Sequence, residues 1–173
     1  MKYKLILTAL MVVATTNKTF SQISQAEIVA TGLTCSMCSN AIIKQFKSLN
    51  DVDSVATDLN KNSFIVYLKK NNTIKPRVLK ESVEKAGFFI GSMVVTMSFD
   101  NLNVEDNLIV NKDNVSFIFV DTETKTLNGP TKVKIFDKGF VTQKEYKKLI
   151  KSFSKYSSYS IENENDYHLK AIY

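Results

Sequence analysis

The sequence predicts an α+β fold, in which a β-α-β-β-α-β first part is followed by a smaller β-rich part with one helix. Three observations carry that expectation. Between Ile23 and about Ser98 the apolar residues switch in an orderly way between strand-like alternation and helical spacing. From Asp100 to Tyr173 the texture changes to short alternating runs around one helix-start signal. Of 173 residues only 5 are glycine and 2 proline, with 44% apolar and 23% charged, a globular balance and not a disordered or fibrous one. This length suits one ordinary domain or two small ones.

The N-terminus stands apart. Lys2 and Lys4 form a basic start, and Leu5 to Ala14 is an apolar stretch too short for the roughly 20 residues of a membrane span. These are the proportions of a cleaved secretory signal peptide. Thr19 and Ser21 are small residues suited to a cut after Ser21, so residues 1–21 are assigned to the signal. The expected localisation is periplasmic or secreted, with no stable membrane anchor after cleavage. Removing residues 1–21 takes away Lys2, Lys4 and Lys18 and lowers the formal charge from +6 to +3. That charge is too modest to argue for nucleic acid. The lysines between Lys132 and Lys155 read as a solvated helix face.

In the first part, Glu27 to Thr31 reads as a short strand ending at Gly32, and Ser36 to Leu49 as a helix with Ile42, Ile43, Phe46 and Leu49 on one stripe. Val52 to Leu59 and Ser63 to Lys69 form a hairpin around Asn60-Lys61-Asn62. A second helix starts near Pro76, where proline is tolerated, and Gly87 is placed as its C-terminal stop. Phe89, Met93, Val95, Met97 and Phe99 alternate along a last strand. This order is the split βαβ arrangement, so residues 22–98 are expected to form a ferredoxin-like βαββαβ sandwich.

Residues 99–173 are expected to form a separate small β-rich α+β domain. Val104 to Val110 and Val115 to Val120 read as strands, and Asn128-Gly129-Pro130 as a turn leading into a strand from Thr131 to Phe136. Thr142 followed by Glu145 is a capping box opening a helix to about Phe153. Tyr167, Leu169, Ala171 and Tyr173 alternate in a last strand. His168, the only histidine, falls on the opposite face and is expected to be exposed. No nucleophile-base-acid set, phosphate loop or carboxylate pair is visible, so an enzyme is not expected.

The chemistry lies in Cys35 and Cys38, the only cysteines. Two thiols separated by Ser36 and Met37 bind metal, cycle between dithiol and disulfide, or make half of a four-ligand zinc site. A second pair for closed zinc is missing from the chain. Redox cycling fits an oxidising compartment, yet neither Trp nor Pro flanks the pair. A loop position for Cys35 and a first-turn position for Cys38 set both sulfurs at the positive end of a helix, which favours thiolate. Soft anionic sulfurs with few other donors select soft cations, copper(I) first, with mercury(II) and silver(I) by similar logic and zinc as the remaining alternative. Met37 between the ligands is expected to point outward, and Met93 and Met97 to lie in the core.

Gly32-Leu33-Thr34-Cys35-Ser36-Met37-Cys38, together with Ala86-Gly87-Phe88, resembles the signature of heavy-metal-associated domains, a family that includes copper chaperones and periplasmic mercury-binding proteins. The resemblance covers about residues 24–98. It implies a metallochaperone-like fold in which Cys35 and Cys38 hold the metal. It also implies a partner that donates or accepts it, such as a membrane transporter or an oxidase-assembly component. Leu33 stands where the family usually has methionine, and Phe88 resembles the version found in transport ATPases. The expected function is an exported protein that binds and transfers copper(I). A thiol-disulfide protein, or a module delivering or sensing metal at a membrane complex, are the alternatives.

Overall fold

The computed structural model describes residues 23–33, 36–58, 60–112, 114–161 and 163–172. The proposed signal peptide, Thr34, Cys35, the strand end at Leu59 and the terminal Tyr173 lie outside the described residues. Strands β1 (Ile23–Thr31), β2 (Val52–Asp58), β3 (Ser63–Leu68) and β4 (Phe89–Val104), with helices α1 (Ser36–Lys47) and α2 (Pro76–Lys85), make the βαββαβ unit. Four further strands follow: β5 (Ile109–Lys112), β6 (Val115–Phe119), β7 (Lys125–Ile135) and β8 (Asp166–Ile172). Helix α3 (Gln143–Ser152) and a short 3-10 helix at Ser157–Ser160 lie between β7 and β8.

All eight strands join in one sheet of order β2-β3-β1-β4-β7-β8-β6-β5. Its first four positions have the ferredoxin-like order, with β1 antiparallel to both β3 and β4. The expected boundary between residues 98 and 99 falls inside β4, which pairs with β7 from Met93↔Ile135 to Val104↔Lys125. Pairing with β7 occupies the β4 edge, so among the described strands the open edges are β2 and β5.

Alternation along the strands decides which layer each side chain enters. Ala26, Ile28 and Ala30 of β1, Phe64 and Val66 of β3, and Met93, Val95, Met97 and Phe99 of β4 are buried under α1 and α2. Ile42 and Phe46 of α1 and Leu79 and Val83 of α2 complete that core, with the Phe46 ring edge-on to Phe64 at 6.1 Å. The core continues through Val133, Ile135, Phe117, Phe119, Tyr167 and Leu169. The intervening residues Ile118 and Val120 face the other way and pack with Phe153, Tyr156 and Tyr159 around α3. Helix α3 therefore covers the sheet face opposite α1 and α2.

Two sequence expectations give way here. Asn128-Gly129-Pro130 is no turn but the middle of β7, where Pro130 pairs with Ser98 and Gly129 with Phe99. The chain accommodates a strand proline at an irregularity, because Asp100 and Asn101 of β4 together oppose Asn128, with Asn101 at φ 45°. That bulge also lets β4 run on to Val104, so the strand expected from Val104 to Val110 is replaced by the end of β4 and the shorter β5. Of the expected capping box the Thr142 half is seen: Thr142 Oγ1 accepts the Glu145 N–H at 3.2 Å, while the Glu145 carboxylate accepts from Lys134 Nζ at 2.8 Å.

The end of α3 is tied to the connections flanking β5 and β6. The Tyr156 hydroxyl donates to Asp106 Oδ1, Lys155 Nζ lies 2.7 Å from Asp106 Oδ2, and the Asp121 N–H donates to the Tyr156 oxygen at 2.6 Å. The hydrogen bond from Lys155, reinforced by that from Tyr156, holds the Asp106 carboxyl down at about 2.

Candidate metal site

Strand β1 leads to Gly32, whose φ of +88° lies in the left-handed region that favours glycine, and the chain reverses there into α1. The loop is backed by the end of α2. Ala86 caps that helix, the Gly87 N–H donates to the Glu84 carbonyl at 2.9 Å, and the Phe88 N–H to the Val83 carbonyl at 3.2 Å. This is a Schellman ending with Gly87 at φ +88°, as expected of a glycine helix stop. It folds Phe88 back so that its ring approaches Gly32, to 3.8 Å from where a Cβ would stand. Gly91 closes the same end of the sheet, since a Cβ there would meet Thr31 Cγ2 at 2.8 Å.

Helix α1 begins at Ser36, which puts Cys38 in its first turn, partly buried. Cys35 lies outside the described residues. Met37 is 79% exposed and points outward, while Met93 and Met97 are fully buried in the core. The first turn of α1 carries no acidic residue and its last turn carries Lys44 and Lys47. Cys38 therefore sits at the positive end of the helix dipole, and such an end stabilises thiolate. Among the described residues no group of three or more His, Cys, Asp and Glu side chains gathers as an alternative metal site.

The sequence reading missed a second constellation. His168 is 1% exposed, not the solvated histidine expected. Asp137, just past the end of β7, accepts the His168 backbone N–H at Oδ2 (2.7 Å) and faces its Nδ1 through Oδ1 (2.7 Å). On the other side of the ring, His168 Nε2 lies 2.9 Å from Ser158 Oγ. Burial pushes the Asp137 carboxyl up, opposed by the ring and backbone N–H of His168. Nothing local marks these three residues in the sequence, since the fold brings them together from β7, the 3-10 helix and β8.

The family model described as the heavy-metal-associated domain matches residues 28–89, from within β1 to the first residue of β4. Among solved structures, the chain is similar to the yeast copper transporter domain CCC2A, studied in its apo and Cu(I)-loaded states. The identity is 29% over 38% of this chain and 88% of that one, with a TM-score of 0.35. It is also similar to a copper-binding domain from HMA7, a P-type ATPase, at 30% identity over 38% of this chain and 88% of that one, with a TM-score of 0.35. No curated protein matches the chain.

Proposed function

We propose, from the premise that this chain belongs to the heavy-metal-associated domain family through residues 28–89, that it is an exported protein which binds copper(I) at Cys35 and Cys38 and passes it to a partner. The observation that carries the proposal is the span of the family match. It includes both cysteines, the left-handed turn at Gly32 and the start of α1, which holds Cys38 in its first turn. Two thiolates at a helix N-terminus satisfy a soft monovalent ion with little need for further ligands. Such a two-coordinate site leaves the ion open to a further ligand, and Met37, between the two cysteines in sequence, is exposed. A thiolate of an acceptor enters from there, and the ion moves between proteins without being released to water. The acceptor or donor is a metal-carrying protein such as a membrane transporter or an oxidase-assembly component. Export is supported by the basic and apolar character of residues 1–21.

The test is anaerobic titration of the reduced protein lacking residues 1–21 with copper(I), against a colorimetric chelator. One equivalent is expected to be held, and a Cys35→Ser/Cys38→Ser variant is expected to hold none. Equal binding by the variant, or no binding by either protein, overturns the proposal. Failure to bind combined with rapid disulfide exchange on a model substrate moves the assignment to thiol-disulfide cycling.

A further inference from the structure

We propose that the outer face of helix α3 docks reversibly on an anionic phospholipid bilayer through Lys144, Lys147, Lys148 and Lys151. The spacing of these four is i, i+3, i+4 and i+7, which sets them in one stripe along the helix. All four are exposed, and the stripe lies opposite the side that Tyr146 and Leu149 turn to the sheet. Glu145, the one acidic residue of the helix, does not neutralise it, since its carboxylate accepts from Lys134 Nζ of β7 at 2.8 Å.

Charge balance separates this stripe from the lysines around it. Lys132 is paired with Glu27, Lys155 with Asp106 and Lys170 with Asp121. Among the described residues no carboxylate forms an ion pair with any of the four. Residues 22–173 carry a formal charge of +3, so setting these four lysines aside leaves the remainder at −1. The positive charge of the chain is thus gathered on one helix face, a distribution that steers an anionic surface to it. The stripe also works against the helix that carries it. Like charges three and four residues apart repel, and Lys144 stands in the first turn, where the helix dipole disfavours a cation. The Thr142 cap offsets part of that repulsion. A local preference broken in one direction marks a face kept for a contact outside the chain.

An anionic bilayer is the partner this face fits. The face is convex and made of lysine ammonium groups, compact charges on flexible stems that meet many lipid phosphates in one plane. Ile150, three residues from Lys147 and 43% exposed, borders the stripe and offers an aliphatic side chain to the headgroup boundary. Single-stranded nucleic acid takes aromatic rings to stack on. The rings of α3 and its end are turned inward instead: Phe153 is buried, and the Tyr146 ring packs on Tyr159 at 5.9 Å. Val141, just before the cap of α3, bridges Ser92 of β4, which pairs with Val29, three residues before Gly32. The docking face therefore starts at the end of the sheet that carries the Gly32 loop.

The test is co-sedimentation of residues 22–173, which include the whole described fold, with vesicles at low and at physiological salt. Vesicles of phosphatidylcholine with one third phosphatidylglycerol are compared with phosphatidylcholine alone. Four lysines near the surface are expected to favour the anionic vesicles by about 100-fold or more at low salt, and by less at physiological salt. Lys144→Gln/Lys147→Gln/Lys148→Gln/Lys151→Gln is expected to lose that preference while melting no earlier than the parent, since the repulsion is relieved. Lys44→Gln/Lys47→Gln/Lys69→Gln/Lys70→Gln removes the same charge from exposed positions elsewhere and is expected to keep most of it. Equal binding to both kinds of vesicle, an unchanged preference in the α3 variant, or as large a loss in the control variant overturns the proposal. So does a single-stranded RNA or polyglutamate that holds the protein as tightly as the anionic vesicles through the same four lysines.

Discussion

Replacing Gly87 by alanine isolates one physical effect, because nothing lies within 4 Å of where the new Cβ would stand. No clash arises, and no side-chain contact is lost. What remains is the backbone conformation at φ +88°, which an L-residue adopts at a cost of about 1–2 kcal/mol. Alanine also restricts the unfolded chain, an opposing effect of about 0.4–1 kcal/mol that the strained native conformation outweighs. The predicted net loss is therefore about 1 kcal/mol, equivalent to a fall in Tm of roughly 2–4 °C for a chain of this size. Urea unfolding followed by far-UV dichroism measures it, with an unchanged m-value expected because the surface exposed on unfolding stays the same. Gly87→Asn is expected to lose less, since asparagine tolerates the left-handed region better than alanine. A Gly87→Ala protein as stable as the parent, or more so, would refute the Schellman ending and the placement of Phe88 against Gly32 that follows from it.

Three further outcomes follow from the packing and the ion pairs. Phe46→Ala removes a fully buried ring edge-on to Phe64, and urea unfolding should show a loss of about 3–5 kcal/mol. Gly91→Ala should destabilise through contact with Thr31 Cγ2, and Thr31→Ser in the same chain should restore much of the loss by removing that methyl group. Asp106 has its carboxyl depressed to about 2 by Lys155 and Tyr156, below the ordinary value of about 3.9. Its contribution to stability is therefore present above pH 4 and lost as the pH falls through about 2, and carboxyl NMR should find the midpoint moved upward in Lys155→Ala.

Much of the first half was legible because its signals are local. Alternation at Met93, Val95, Met97 and Phe99, the helical stripe of Ile42 and Phe46, proline at the start of α2 and glycine after its end each act within a few residues. The capping box of Thr142 and Glu145 is local in the same way and correctly marked α3. What escaped depends on partners far along the chain. Asn128-Gly129-Pro130 carries turn chemistry, but pairing with Ser98 and Phe99 across a bulge holds it in a strand. His168 has the polarity of an exposed residue, and its burial is made acceptable by Asp137, 31 residues away, and by Ser158. The end of the first unit could not be read at Ser98 because β4 continues beyond it, with β7 as the neighbour that gives the added length its hydrogen bonds. Of the candidate metal site, the residue types and spacing were visible in full, as were the first-turn position of Cys38 and the outward Met37, both of which the structure bears out.

The account rests on Cys35 and Cys38 as the metal ligands, and X-ray absorption at the copper edge of the anaerobically loaded protein tests that most directly. The account predicts a copper(I) edge with a first coordination sphere made of sulfur alone, lost together with the bound copper in Cys35→Ser/Cys38→Ser. A sphere dominated by nitrogen or oxygen, or an unchanged spectrum in the variant, would contradict it.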